Sequence, residues 1–393
     1  MDKFQKEFIS LIQSAFTEKA NVISSDFDWE KAVRVAKKHN IASIIFYGAA
    51  NCNVPQESEH MSQLFQSTLQ SMSNDLRQTY EIEQIEAVFD KENISYMPIK
   101  GTILKKIYPK TEMRTMGDAD ILIKLEQYPQ IERIMTELGF AYQYESDHEL
   151  VWSKPALFLE LHKSIMTSYN KDFYQYFGTG WGIAKQIGDS SRYEMSTEDF
   201  YLYIFVHFTK HYRITGIGIK HLVDLWVYAN AHPEMNWAYL DSALKKLRLQ
   251  KFHTNVQNTI RVWFEEDTDT EITDLITNVI FHSGQYGSAD RAVVNRALQN
   301  GKDSAFKLKL YWYFKGLFLP YSTMKKKYRI LEKLPILLPF MWIVRFFDIL
   351  FHRKSDVKQY MQNMNQIDTE QVKENKRALH AVGLDFQMEE HEH

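Results

Sequence analysis

Apolar residues recur every three to four positions in much of the N-terminal part of the chain, a spacing that puts them on one face of a helix. The recurring residues are Phe4, Phe8, Leu11, Ile12 and Phe16, and the same spacing continues in residues 29–36 and 64–88. This pattern predicts a helical region over residues 1–88.

Between residues 89 and 195 the pattern changes to short apolar runs bounded by turn residues, which are typical of strands. The predicted strands cover residues 94–99, 118–124, 140–144, 149–153 and 156–162. Helical spacing returns in residues 196–393. The predicted fold class is therefore α+β, with a small mixed sheet over residues 89–195 between N-terminal and C-terminal helical regions.

The composition is that of a folded protein without a strong charge bias. Of 393 residues, 45% are hydrophobic, and the formal net charge of −3 disfavours nucleic acid as a partner. The single cysteine, Cys52, excludes a disulfide framework and a cysteine-based zinc site. Because the first residues lack the apolar stretch of a signal peptide, we expect a cytoplasmic protein.

One apolar segment, residues 334–351, raises the question of a membrane. Pro335, Pro339, Arg345 and Asp348 interrupt it, so it does not read as a transmembrane helix, which needs roughly 20 mostly apolar residues. Two interpretations stay open. The segment is a buried or partner-facing helix, or it makes a peripheral membrane contact aided by the basic residues at 325–329.

Three carboxylates lie in the predicted strands. Asp118 and Asp120 are two positions apart, so a strand would point both side chains to the same face, and Glu160 lies within a later strand. If the two strands are neighbours, the three acids converge, and their mutual repulsion calls for a cation. Carboxylate oxygens favour Mg²⁺ or Mn²⁺. The alternative is an acidic turn and an unrelated glutamate.

The pair Lys100-Gly101 ends one predicted strand and opens a short helix. A glycine at such a junction lets backbone N–H groups approach a phosphate. The plain alternative is a strand–turn–helix junction whose lysine is solvated.

Three segments taken in order carry a resemblance to a known family. They are residues 99–108 with Lys100-Gly101, residues 114–123 with Arg-x-x-x-Asp-x-Asp, and residues 159–162 with Glu-Leu-His. Together they resemble the polymerase-β-type nucleotidyltransferase superfamily and, more narrowly, the bacterial uncharacterised nucleotidyltransferase family. The resemblance extends from about residue 29 to residue 351.

The resemblance implies transfer of a nucleoside monophosphate from an NTP to a hydroxyl group, with in-line attack and release of pyrophosphate. Asp118, Asp120 and Glu160 are then the catalytic and metal-binding residues, with Glu160 helping to deprotonate the acceptor. The remaining residues expected to face the nucleotide are Lys100, Gly101, Thr102, Arg114, His162, His211 and Lys220.

The acceptor is left open by the sequence as a small molecule, a saccharide or a peptide. A different class of function also stays open, a nucleotide-binding or partner-binding module with weak catalysis on the same scaffold. His207 and His211 have a spacing suited to zinc but lack an evident third ligand, so we expect them to line the cleft.

Overall fold

A computed structural model gives the fold. The residues it describes are 1–17, 19–52, 54–55, 57–168, 170–265, 267–285, 287, 291–292, 294–295, 298, 314, 318–352 and 369–385. The chain divides into two compact units, the first formed by Met1–Tyr212 and Ile217–Tyr286, the second by Arg213–Gly216 and Gly287–His393. The proposed division of the chain at residues 88 and 195 stays a prediction.

The N-terminal part is helical, as the spacing of apolar residues predicts. Its helices are α1 (Lys3–Thr17), α2 (Trp29–Lys38), α3 (Ala42–Asn51) and α4 (Glu59–Lys91). Side-chain caps define two of the starts, Asp28 for α2 and Ser58 for α4. Helices α1 and α3 cross closely at Gly48, where a Cβ would lie 1.9 Å from the carbonyl oxygen of Leu11.

A five-stranded mixed sheet follows, with strand order β1-β2-β5-β4-β3. Its strands are β1 (Tyr96–Ile99), β2 (Ala119–Ile123), β3 (Ala141–Glu145), β4 (Glu149–Lys154) and β5 (Leu157–His162), and two helices lie between them in the chain, α5 (Gly101–Leu104) and α6 (Tyr128–Glu137). Strands β2 and β5 are parallel, whereas the other neighbouring pairs are antiparallel. The α+β prediction is confirmed.

Alternating side chains of the central strands determine which face carries polar groups. Ile121 and Ile123 of β2, with Leu159 and Leu161 of β5, pack in one core cluster with apolar residues of α4 and α6. The intervening residues therefore point to the opposite face. In the parallel pair Asp120 and Glu160 are direct partners, so the strand register brings these two carboxylates side by side.

The rest of the first unit is mainly helical. Its elements are α7 (Lys171–Phe177), the hairpin β6 (Ala184–Gln186) and β7 (Tyr193–Met195), α8 (Thr197–Ile214), α9 (Ile219–Ala231), α10 (Trp237–Lys246), α11 (Gln250–Phe264) and α12 (Glu271–Ser283). The last two residues of α8 fall in the second unit.

His39, directly after α2, ties three distant parts of the first unit together. The backbone N–H of Ile219 donates to Nδ1 of His39 at 3.2 Å, and Nε2 donates to the carbonyl of Phe281 at 3.1 Å. The side chain is fully buried, and burial lowers its pKa to about 4. His39 is therefore neutral, with the proton on Nε2.

The described part of the second unit includes the helices Tyr321–Lys327, Ile330–Lys333, Leu338–His352 and Thr369–Val382. Trp342 of the third donates its indole N–H to the carbonyl of Leu319 at 2.9 Å. Within the described residues, every helix is too short or too polar to cross a membrane. Peripheral contact through residues 334–351 stays a prediction.

Candidate functional site

A cavity of about 310 Å³ lies between the polar face of the sheet and helices α8 and α9. Nine of the ten site residues predicted from the sequence line it: Lys100, Gly101, Arg114, Asp118, Asp120, Glu160, His162, His211 and Lys220. The tenth, Thr102, is buried beside Gly101, and its hydroxyl has no hydrogen-bond partner among the described residues.

Asp120 is an almost fully buried carboxylate of the cavity, 3% exposed. Nζ of Lys100 and Nε2 of His162 both contact its Oδ1 atom, at 2.5 and 2.7 Å. Burial alone would raise the pKa of Asp120, but these two cationic neighbours outweigh burial and hold the pKa well below its usual range. Asp120 is therefore an anion at neutral pH.

Glu160 and Asp118 complete the acidic side of the cavity. His162 bridges two of the acids, since its Nε2 atom also lies 3.3 Å from Oε2 of Glu160. The pKa of Asp118 is raised, first because burial disfavours its charge and then because the charge of Asp120 repels it. A cation beside Asp118 would relieve both effects.

The donor atoms fit a divalent cation. One ligand atom from each of Asp120, Glu160 and His162 lies within 4.8 Å of the others, while Asp118 stands outside this group of three. Both contacts to Asp120 use Oδ1, and among the described residues no hydrogen bond is made to Oδ2. An oxygen-rich set with an available carboxylate oxygen suits Mg²⁺ or Mn²⁺.

The Lys100-Gly101 turn has an unusual backbone. Lys100 has φ of 50° and ψ of −120°, a conformation that favours glycine. A Cβ at Gly101 would lie 3.0 Å from the side chain of Met116, so a larger residue there would have to displace that side chain. The turn directs Lys100 to Asp120, and Gly101 lines the cavity beside it.

Arg114 is paired within the protein. Its Nε atom donates to Oδ1 of Asp224 at 2.6 Å, and the hydroxyl of Tyr108 donates to the same oxygen at 2.7 Å. This contact links the loop before β2 to α9. A role for Arg114 toward the triphosphate stays a prediction.

The helical side of the cavity carries two lysines with no carboxylate within 4 Å among the described residues. Lys220 of α9 donates to the carbonyl of Thr115 at 3.1 Å, and Lys210 of α8 lines the cavity. Burial lowers the pKa of Lys210 to about 8 and that of Lys220 to about 7. Unpaired ammonium groups in an enclosed site favour an anionic ligand.

Three histidines, His207, His211 and His221, line the cavity from the same two helices as these lysines. Nε2 of His207 lies 3.2 Å from Nε2 of His211, and the rings of His207 and His221 are 6.2 Å apart. Burial lowers the pKa of all three well below the usual histidine value, so they are neutral imidazoles. Among the described residues, the potential metal-binding groups are Asp120-Glu160-His162 and His148-Glu149-His162, which exclude His207 and His211.

The sequence did not reveal three residues that line the cavity: His148, Glu149 and Lys210. Lys210 had a local signal, since it follows His207 by one helical turn and shares its face. His148 and Glu149 reach the site through the pairing of β4 with β5, where Glu149 is opposite His162. Such a register is not visible in the sequence of one strand.

Comparison with known proteins places the chain in a family. The sequence model described as an uncharacterised nucleotidyltransferase matches residues 25–265, more than half of the chain. No curated protein and no solved structure matches. The matched range contains the sheet, α8 and α9. The family implies a nucleoside triphosphate substrate. Residues 266–351, which are part of the resemblance noted from the sequence, lie outside the matched range. The chain belongs to the uncharacterised nucleotidyltransferase family.

Proposed function

We propose that this nucleotidyltransferase moves a nucleoside monophosphate from an NTP to a hydroxyl group of an acceptor and needs Mg²⁺ or Mn²⁺. One observation carries the proposal. Asp120 and Glu160 are register partners in adjacent parallel strands, with Asp118 two residues earlier, and they share a cavity with Lys210 and Lys220. Carboxylates on the sheet side of the cavity and lysines on its helical side suit a polyphosphate that is bound together with a divalent cation.

In this proposal Asp118, Asp120 and Glu160 hold the cation. When bound, a divalent ion supplies positive charge to the triphosphate and favours ionisation of the attacking hydroxyl. His162 is a positioning residue, since its contacts with Asp120 and Glu160 fix both carboxylates. Lys100 neutralises Asp120 and contributes positive charge near the phosphates.

The two unpaired lysines are the proposed partners of the triphosphate. Keeping an ammonium group in an enclosed site without a carboxylate in contact costs free energy, and phosphate oxygens near Lys210 and Lys220 would offset that cost. His211 and the backbone at Gly101 and Thr102 complete the proposed nucleotide contacts. Arg114, held by Asp224, stabilises charge on the phosphates from the loop before β2.

The chemistry is an in-line displacement. The acceptor oxygen forms a bond to the α-phosphorus, the bond from that phosphorus to the bridging oxygen of the β-phosphate breaks, and pyrophosphate leaves with the electron pair. The hydroxyl proton passes to the carboxylate of Glu160 and then to water. The acceptor is a small molecule, a saccharide or a peptide with a free hydroxyl group.

The test combines the purified chain with Mg²⁺ or Mn²⁺, each α-labelled NTP, ATP first, and fractions of a cell extract. We expect label transfer with release of pyrophosphate, and loss of both in Asp120→Asn. Glu132→Gln, an exposed carboxylate of α6, is the matched control and should keep full activity. Nucleotide binding without transfer would instead support the weakly catalytic binding module.

A further inference from the structure

The helix Leu338–His352 of the second unit exposes its apolar side. Its exposed residues are Phe340, Ile343, Val344, Phe346 and Phe347, between 43% and 65% accessible. At 3.6 residues per turn they cover an arc of about 160° that contains no polar side chain. Upstream, Ile336 is 82% exposed and extends the same apolar segment.

The charged residues Arg345 and Asp348 lie outside this arc, on the less exposed side of the helix. Arg345 and Asp348 are half-buried, and Oδ2 of Asp348 contacts Nζ of Lys327 at 2.7 Å. Trp342, also half-buried, is fixed by its hydrogen bond to Leu319. The usual arrangement of a surface helix, with charges outward and apolar residues inward, is therefore reversed. A reversed helix needs something apolar to cover it.

Basic side chains adjoin the apolar arc in the chain. Lys325, Arg329 and Lys333 are exposed just before it, against one exposed acid, Glu332. Anionic lipid headgroups attract such basic segments, while phenylalanine and aliphatic side chains enter the boundary between headgroups and acyl chains.

We propose that residues 325–347 bind the surface of an anionic phospholipid bilayer. The helix lies in the plane of the interface, with the arc of Phe340, Ile343 and Phe347 turned to the lipid. At 1.5 Å per residue, 15 residues reach about 22 Å, less than the roughly 30 Å of a hydrocarbon core, so the helix does not cross the bilayer. The proposal is independent of the proposed chemistry.

Charge selects lipid over a second copy of the chain. A self-interface through this segment would bring Lys325, Arg329 and Lys333 of two copies together and would repel. An anionic membrane instead complements these residues and the apolar arc at the same time.

The experiment is co-sedimentation of the full chain with vesicles of phosphatidylcholine alone or mixed with phosphatidylglycerol. We expect binding to the mixed vesicles that weakens in high salt, and little binding to phosphatidylcholine alone. In Phe340→Ser/Ile343→Ser/Phe347→Ser the affinity should fall at least about tenfold. A matched control, Leu69→Ser/Met72→Ser/Leu76→Ser, removes exposed apolar residues of α4 and should bind as the wild type does.

A second variant keeps the apolar arc and reverses the charge. Lys325→Glu/Arg329→Glu/Lys333→Glu should lose the preference for phosphatidylglycerol. Circular dichroism checks that each variant is folded. The proposal is overturned if the wild type stays in the supernatant with every vesicle, or if both triple variants of the segment sediment as the wild type does. A dimer that the serine variant converts to monomer, without vesicle binding, would assign the arc to a second copy.

Discussion

The ammonium group of Lys100 lies 2.5 Å from Oδ1 of Asp120, and the residue that carries it has a positive φ of 50°. Such a backbone conformation costs a non-glycine residue about 1–3 kcal/mol. The contact between this lysine and the central carboxylate of the cavity is thus made at the expense of local strain. Two stability experiments separate the strain from the charge interaction.

Glycine and alanine at position 100 separate the strain. Both variants lose the ammonium group, but only glycine accepts the conformation freely. We expect Lys100→Gly to be more stable than Lys100→Ala by about 1–2 kcal/mol in urea unfolding. Equal stabilities would mean that the turn relaxes when the side chain is lost.

A double-mutant cycle measures the ion pair itself. With side chains 21% and 5% exposed, Lys100 and Asp120 are well shielded from water. Lys100→Met and Asp120→Asn should show a coupling of about 1–3 kcal/mol in the free energy of unfolding. The same cycle on the exposed pair Lys3–Asp26 is the control and should give a much smaller coupling. Additive effects at Lys100 and Asp120 would contradict the prediction.

Nucleotide binding should take up protons at mildly alkaline pH. At pH 8 free Lys220, with a pKa of about 7, is largely neutral, and Lys210, with a pKa of about 8, is half charged. A bound triphosphate favours their charged forms, so affinity falls as pH rises from 7 to 9. Calorimetry with a non-hydrolysable NTP at pH 8, in two buffers of different ionisation enthalpy, measures the uptake.

The matched variants for that measurement are Lys210→Gln and Lys220→Gln. Each should weaken binding near pH 7 and reduce the proton uptake, while Lys171→Gln, a lysine outside the cavity lining, should change neither. Release of protons by the wild type at pH 8 would contradict the assignment of the two lysines to the triphosphate.

His39 should make the protein sensitive to acid. Its pKa is about 4 when folded and near 6.5 when unfolded, so between these values the unfolded chain binds more protons than the native protein. The free energy of unfolding therefore decreases as pH falls from 6.5 toward 4, by about 3 kcal/mol from this residue. Urea unfolding from pH 7 to 4.5 measures the slope, which His39→Gln should reduce; an unchanged slope would argue against this assignment.

The sheet and the acidic part of the site could be predicted because both depend on local patterns. The apolar run after Asp120 and the alternating apolar residues around Glu160 indicated two strands, and pairing these strands in register brings the acids together. The short strands Ala184–Gln186 and Tyr193–Met195 carry too few residues for a periodic signal. At the Lys100-Gly101 turn the positive φ is on Lys100, a backbone feature that the residue type does not indicate.

The helical side of the cavity could not be predicted in the same way. Lys220 was expected from the family resemblance alone, and Lys210 was not expected. Both share a cavity with Asp120 because α8 and α9 pack across the sheet, a tertiary arrangement that no spacing encodes. Their lack of a close carboxylate is also a property of the folded protein, and it is the property that indicates an anionic ligand.

The hydrogen bonds of His39 bear on the order in which the unit is completed during synthesis. They reach 180 and 242 residues along the chain, to Ile219 and Phe281. A nascent chain has all the strands of the acidic sheet once residue 162 has emerged, yet the buried imidazole has no acceptor until α12 follows. A fragment that stops before Phe281 would retain its carboxylates and leave a polar ring unsatisfied in its core. The N-terminal helices are therefore an integral part of the first unit, because a buried side chain that follows α2 needs hydrogen-bond partners from the last part of that unit.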